Sequence, residues 1–158
     1  MEKSVLFVCA GNLCRSPMAE GIFIHKCRQR GVDSYFTVDS AGTEVWRMGA
    51  RPDPRALKAA KRRGVLLPGW SRLFILKDLT KFDLILAMDT SNLKDLQQMS
   101  SPKYLNNIRL MREYDRPGNT SLSVPDPFRG NQAVFEKVFD ILNVCCENLL
   151  ETLSSQLR

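Results

Sequence analysis

Apolar residues along the chain recur with two periods. Ser4-Val5-Leu6-Phe7-Val8 is short, apolar and rich in β-branched residues. Such a run reads as a strand covered on both faces. Residues 9–15 follow as a turn containing Gly11 and Asn12. Ser16-Pro17 then open a helix, since serine suits the cap and proline the first helical position. Ala19, Ile22, Phe23 and Cys27 repeat at helical spacing, and Gly31 ends the helix.

The succession recurs. Tyr35 to Val38 reads as a second strand, and Pro54 to Arg63 as a helix closed by Gly64. Phe82 to Ala87 is a third strand, followed by a helix from Ser91 to Gln98. Ile108 to Met111 is a short fourth strand, and a loop rich in Pro, Gly and Asp covers 113–130. A last helix from Gln132 to Leu153 carries the stripe Val134, Val138, Ile141, Cys145, Leu149 and Leu153. Alternating β and α elements predict an α/β fold of three layers, α/β/α, around a four-stranded parallel sheet. Such folds bind ligands at the carboxyl ends of the strands, near a switch in strand order. Cys9 stands at the carboxyl end of the first strand.

Composition narrows the classes. The 158 residues fit one domain, 1–158, and 44% hydrophobic with 25% charged residues is ordinary for a globular protein. The longest later apolar run, Leu84 to Met88, falls far short of the ~20 residues that span a bilayer. Five cysteines without framework spacing point to free thiols and a reducing compartment, hence a cytoplasmic location. One histidine and no Cys-x-x-C pair argue against zinc. The net charge of +6 favours anionic partners without naming one. The basic helix positions Arg28, Arg30, Lys58, Lys61, Arg62 and Arg63 lack interleaved aromatics, so they read as solvated faces and not as a nucleic-acid surface. His25 reads as a surface histidine, and Cys27, Cys145 and Cys146 as ordinary helix-face thiols.

The chemistry concentrates in Cys9-Ala10-Gly11-Asn12-Leu13-Cys14-Arg15-Ser16-Pro17. A Cys-x5-Arg between a strand end and a helix start can turn several backbone N–H groups inward as an anion nest. The helix N-terminus adds positive potential, and Arg15 can hold two oxygens in a planar fork. The field that binds phosphate also favours a thiolate, so Cys9 at the base of the cup becomes a nucleophile toward phosphorus. Ser16 can donate to that sulfur. Gly11 and Asn12 tolerate the left-handed backbone such a loop needs.

These residues resemble the phosphate loop of the low-molecular-weight protein tyrosine phosphatases, and the likeness runs along nearly the whole chain. Asp39-Ser40-Ala41-Gly42-Thr43 and Trp46, followed by Asp53-Pro54-Arg55, resemble the family's second stretch. Phe82 to Leu93 resembles its third, and Pro125-Asp126-Pro127-Phe128 with Phe135-Glu136 its acid loop and last helix. The resemblance implies a flavodoxin-like doubly wound phosphatase fold and a phosphatase needing neither metal nor cofactor. It implies Cys9 as nucleophile, Arg15 as clamp on the phosphate dianion and Asp126 as general acid and then base. It implies that residues 10–16 cradle phosphate, that Trp46 and Phe128 wall the substrate ring, and that Asn12 and Ser40 support the loop. It implies a reversible disulfide between Cys14 and Cys9 that guards the nucleophile. The partners implied are phosphotyrosine-containing proteins, with a tyrosine kinase as counterpart. Nucleic acid and membrane are not among them, and the chain is expected as a monomer or weak homo-oligomer.

Two departures stand out. Gly69 occupies the place where many relatives have a loop-supporting histidine, so either the loop network is looser or another group serves. Arg129 follows Phe128 where several eukaryotic relatives carry a second tyrosine, so regulation through that tyrosine pair is not expected. Arg47 and Arg51, near Trp46, would favour an acidic peptide flank. Three other readings compete. An arsenate reductase would need relay cysteines, and residues 28–144 have none. A phosphoarginine phosphatase resembles this loop but carries threonine where Leu13 stands. A non-enzymatic anion-binding module is disfavoured because Cys9, Arg15 and Asp126 are all intact.

Overall fold

In the computed structural model, which describes residues 2–157, strands β1 (Lys3–Cys9), β2 (Phe36–Gly42), β3 (Leu84–Ala87) and β4 (Ile108–Leu110) form one parallel sheet. The order is β2-β1-β3-β4, so β1 is bonded along both edges. Covered also on both faces, its Val5, Leu6, Phe7 and Val8 are wholly buried, as a continuous apolar run requires.

Helices α1 (Arg15–Gln29), α2 (Pro54–Lys61) and α5 (Gln132–Gln156) cover one face, where Phe7 and Leu86 meet Phe23, Ala59, Phe139 and Leu149. On the other face α3 (Asp78–Lys81) and α4 (Thr90–Met99) bring Leu79 and Leu96 onto Leu6, Val8 and Ile85. Each such buried side chain contributes about 1.5–3 kcal/mol relative to exposure. The sheet is therefore clamped from both sides, and the carboxyl end of β1 is a fixed point. This is the three-layer α/β/α arrangement expected from the alternation. No helix among the described residues is long and apolar enough to cross a membrane.

Several boundaries differ from the sequence expectation, each for a local reason. Tyr35 belongs to a 3₁₀ turn (Asp33–Tyr35), and β2 continues past Val38 through Asp39-Ser40-Ala41-Gly42. Those residues pair with Leu6 to Cys9 in register, so polar side chains masked a strand that the ladder extends. β3 begins only at Leu84, because Asp83 turns its carboxylate to the Ser4 amide at 2.8 Å. β4 stops at Leu110 and Met111–Tyr114 is a 3₁₀ turn. α5 buries a wider face than the expected stripe: Phe135, Phe139, Leu142, Cys146 and Leu150 are buried too, while Val134 and Ile141 are only half-buried. It lies against both α1 and α2, so a narrow seam would not suffice. The basic helix faces are less solvated than expected, since Arg30 pairs with Glu147 and Glu151, and Arg63 with Glu136 and Asp140.

Candidate active site

The loop after β1 is held open by its neighbours. The carbonyls of Cys9 and Ala10 accept from Thr43 and Glu44 N–H at 3.0 and 2.9 Å, and that of Leu13 from Asp53 N–H at 2.8 Å. With these carbonyls drawn outward, the amides of Gly11 to Arg15 have no acceptor among the described residues. Asn12 sits at φ 56°, the left-handed turn that aims successive amides to one side. A Cβ at Gly42 would collide with the Ala10 carbonyl, so that glycine lets β2 approach the loop. The outcome is an anion nest opening onto the first turn of α1.

Helix α1 begins at Arg15, with Cys14 as its unbonded cap, so Ser16 is not the capping residue expected from the sequence and Pro17 is not the first helical one. The Ser16 hydroxyl is turned inward instead, 2.9 Å from Cys9 Sγ. It also accepts from Asn12 Nδ2 at 2.9 Å. The second Nδ2 proton goes to Ser40 Oγ at 3.0 Å, and Asn12 Oδ1 accepts from the Arg72 amide at 2.9 Å. Asn12 thus uses its full amide, and Asn12 and Ser40 are bonded to each other beneath the loop.

Arg15 is buried at 3% exposure. Its Nη1 donates to Asp89 Oδ2 at 2.7 Å and to the Val124 carbonyl at 2.9 Å. Nη2 lies 3.9 Å from Asp126 Oδ2. Burial opposes its charge, but the Cys9 charge and the Asp89 bond outweigh burial and hold the guanidinium more firmly protonated than usual. Asp89 was not singled out in the sequence. Its two oxygens divide the work, Oδ1 capping α4 through the Asn92 amide at 2.7 Å and Oδ2 fixing Arg15. The readable signal is a carboxylate two residues beyond a strand that neighbours β1.

A narrow cleft of about 50 Å³ is lined by Cys9, Ala10, Gly11, Leu13, Cys14, Arg15, Trp46, Asp126 and Phe128. The expected nucleophile, clamp, acid and aromatic walls therefore converge. The Trp46 ring lies over Gly11, where a Cβ would strike it. It meets Phe128 edge-on, with centroids 5.9 Å apart. The acid loop is tied at both ends: Val124 N–H bonds the Met88 carbonyl at 2.7 Å, and Arg55 bonds the Gly130 carbonyl at 2.8 Å. Asp126 Oδ1 accepts from the Phe128 amide at 3.1 Å, and its side chain is 60% exposed.

Cys14 is buried beside Cys9. Burial, then the charges of Asp53 and Cys9, push its thiol far above the ordinary range. All five cysteines are free thiols. The guanidinium of Arg51, one of the two cations expected to favour an acidic peptide flank, is held by the carbonyls of Gly69 and Leu67 at 2.7 and 2.8 Å. Where a supporting histidine was missing, Gly69 faces the carboxylate of Glu20, which accepts the Ser40 hydroxyl at 2.6 Å. Among the described residues no group of three or more His, Cys, Asp or Glu side chains converges in a way that could hold a metal ion.

Residues 4–158 match the family model described as low molecular weight phosphotyrosine protein phosphatase. A Schizosaccharomyces pombe protein of that description is 37% identical over 151 residues, covering 95% of this chain and 96% of its own length. A crystal structure of a protein tyrosine phosphatase from Entamoeba histolytica superposes with a TM-score of 0.94 at 34% identity, over 99% of this chain and 100% of the other. An arginine phosphatase of known structure, YwlE, is similar at a TM-score of 0.85 and 27% identity, over 96% and 95% of the two chains.

Proposed function

The chain belongs to the low molecular weight phosphotyrosine protein phosphatase family, and we propose that Cys9, Arg15 and Asp126 carry its reaction within a single catalytic domain. The reaction is hydrolysis of a phosphotyrosine monoester through a phosphocysteine intermediate. Phosphate oxygens enter the nest formed by residues 10–16, and the free edge of the Arg15 fork takes two of them. The Cys9 thiolate attacks phosphorus, and the bond to the phenolic oxygen breaks. Asp126, as the acid, gives its proton to the departing phenolate. The resulting Asp126 carboxylate takes a proton from water, whose oxygen attacks phosphorus. The P–S bond breaks, the electron pair returns to Cys9, and the Ser16 hydroxyl stabilises the sulfur as it leaves.

The observation that carries this reading is the Cys9 sulfur at the base of the nest, 2.9 Å from Ser16 Oγ and in one cleft with Arg15 and Asp126. Trp46 and Phe128, in edge-on contact at the mouth of the cleft, offer an aromatic rim for a phenyl ring. Leu13, buried on the cleft lining, adds an apolar contact that favours an aryl ester over a guanidinium phosphate. The substrates are phosphotyrosine-bearing proteins made by a tyrosine kinase, and five free thiols suit a reducing, cytoplasmic setting. Cys14 guards the nucleophile. Once peroxide converts Cys9 to a sulfenic acid, the neighbouring negative charge is gone and the Cys14 thiol ionises more readily. Its sulfur then displaces water and forms the disulfide.

Hydrolysis of p-nitrophenyl phosphate, followed with and without chelator, tests the core of this reading. Turnover is expected to persist in chelator and to vanish in Cys9→Ser. Activity that survives Cys9→Ser would remove the phosphocysteine step.

A further inference from the structure

Glu20 is the carboxylate that α1 carries into the interior, at 4% exposure. With Cys9 as the thiolate that the phosphatase reading requires, the protons between it and Glu20 can be ordered. The Arg72 amide donates to Asn12 Oδ1, so Nδ2 faces Ser16 and Ser40. An amide nitrogen only donates, so both hydroxyl oxygens accept from it. Ser40 has one proton left, and Glu20 Oε1 takes it at 2.6 Å. Ser16 has one proton left, and the Cys9 sulfur 2.9 Å away is its nearest acceptor, the Ala41 carbonyl being at 3.5 Å. Asn12 is the hub, and a negative group at each end receives the outgoing proton.

We infer that Glu20 is a positioning residue of the phosphatase reaction: its carboxylate, at the far end of this relay, holds Asn12 and Ser16 in the arrangement that serves the Cys9 sulfur. A protonated Glu20 is a weaker acceptor and brings a donor of its own. With that donor turned on Ser40, the Ser40 oxygen would accept from both Asn12 and Glu20, its own proton would lose its acceptor, and the relay to Ser16 would loosen.

The surroundings leave this carboxylate uncompensated. Asp39 on β2 adds a like charge. Arg72 divides its guanidinium between Asp39 at 3.0 Å and Asp78 at 3.0 Å. Arg51 is spent on backbone carbonyls. Gly69 presents no side chain, though a Cβ there would lie 3.0 Å from Glu20 Oε1. Burial first, with Asp39 adding to it, pushes the Glu20 carboxyl up to about 7 against the pull of the Ser40 bond and Arg72. The carboxylate form is thus gained across the pH range in which the enzyme would work.

The inference rests on the phosphatase reading, and its test separates the two. kcat for p-nitrophenyl phosphate is measured from pH 5 to 9 for wild type, Glu20→Gln and Gly69→His. Titrations that do not involve Glu20 are common to all three and cancel in ratios. The wild-type to Glu20→Gln ratio is expected to rise with pH through a single midpoint near 7, reaching roughly fivefold, the kinetic equivalent of about one hydrogen bond. Gly69→His sets a cation beside Oε1 and is expected to stay active while moving that midpoint to lower pH. A flat ratio in two active enzymes overturns the inference and leaves the phosphatase reading standing. An unmoved midpoint in active Gly69→His overturns it as well; if Glu20→Gln does not fold, the wild-type to Gly69→His ratio is read in its place, and a ratio that stays flat with pH overturns the inference. An inactive wild type overturns both readings.

Discussion

Cys9, Asn12, Arg15 and Ser16 are each no more than 3% exposed, whereas Trp46 is 57% and Phe128 43% exposed. The floor of the cleft is a closed network: Cys9 meets Ser16, Ser16 meets Asn12, Asn12 meets Ser40 and the Arg72 amide, and Arg15 meets Asp89 and the Val124 carbonyl. The rim is a loop anchored at Val124 and Gly130, with Asp126 held by one turn bond and a 3.9 Å approach to Arg15. The two regions face different parts of the substrate. A phosphate group is the same in every ester, so a rigid nest costs nothing in scope and needs no reorganisation as charge develops. The aryl flank and its peptide vary, so a wall that can adjust is of more use there.

If that division holds, the rim and the floor should separate in mutants. Asp126→Ala should produce the largest effect, a fall in kcat of about 10²–10⁴-fold on phenyl phosphate, with little change in Tm because the side chain is mostly solvated. A smaller fall on p-nitrophenyl phosphate, whose leaving group needs less help, would identify the lost step as protonation. A large drop in Tm would show that the rim braces the fold after all.

Glu20→Gln probes the floor in the opposite sense. The folded-state carboxyl is raised from 4.5 to about 7, mainly by burial. Its contribution to stability is full below the unfolded value and is lost as pH rises through the folded one. Above pH 8 the wild type should therefore forgo on the order of 3 kcal/mol that a neutral glutamine does not. The variant is expected to melt at a higher temperature than wild type at pH 8 and at nearly the same temperature at pH 4.5. Thermal melts at the two pH values measure this, and equal differences at both would refute the sign. A floor residue that is more stable when disabled is one retained for function.

Trp46→Ala should give the smallest change. Loss of one aromatic wall is worth about 0.5–1.5 kcal/mol, or roughly 2–10-fold in KM for aryl phosphates, with kcat nearly kept. A comparable loss for a small alkyl phosphate would mean that Trp46 acts by shaping the loop over Gly11.

The floor was legible where local chemistry sufficed. Cys9, Gly11, Asn12 and Arg15 lie within one turn of chain, and a strand end meeting a helix start restricts what they can do. Asp126 and the two aromatics were legible only through resemblance, because folding alone brings them to Cys9. Glu20 and Asp89 were missed for a physical reason. A glutamate on a helix normally marks the solvent face, but the first two turns of α1 are buried all round, between the sheet, α5 and the segment at Leu67. Polar residues there face partners instead of water. Ser40 hid a strand for the same reason, since the ladder extends beneath a side chain that serves the site.

The position of β1 has a consequence for durability. The nucleophile terminates a strand bonded on both edges, between the two layers of helix. Segments of this kind open only when the whole domain opens, while loop tips fray at little cost. The reactive sulfur is therefore withheld from partial melting, which reaches the loop that carries Asp126 first.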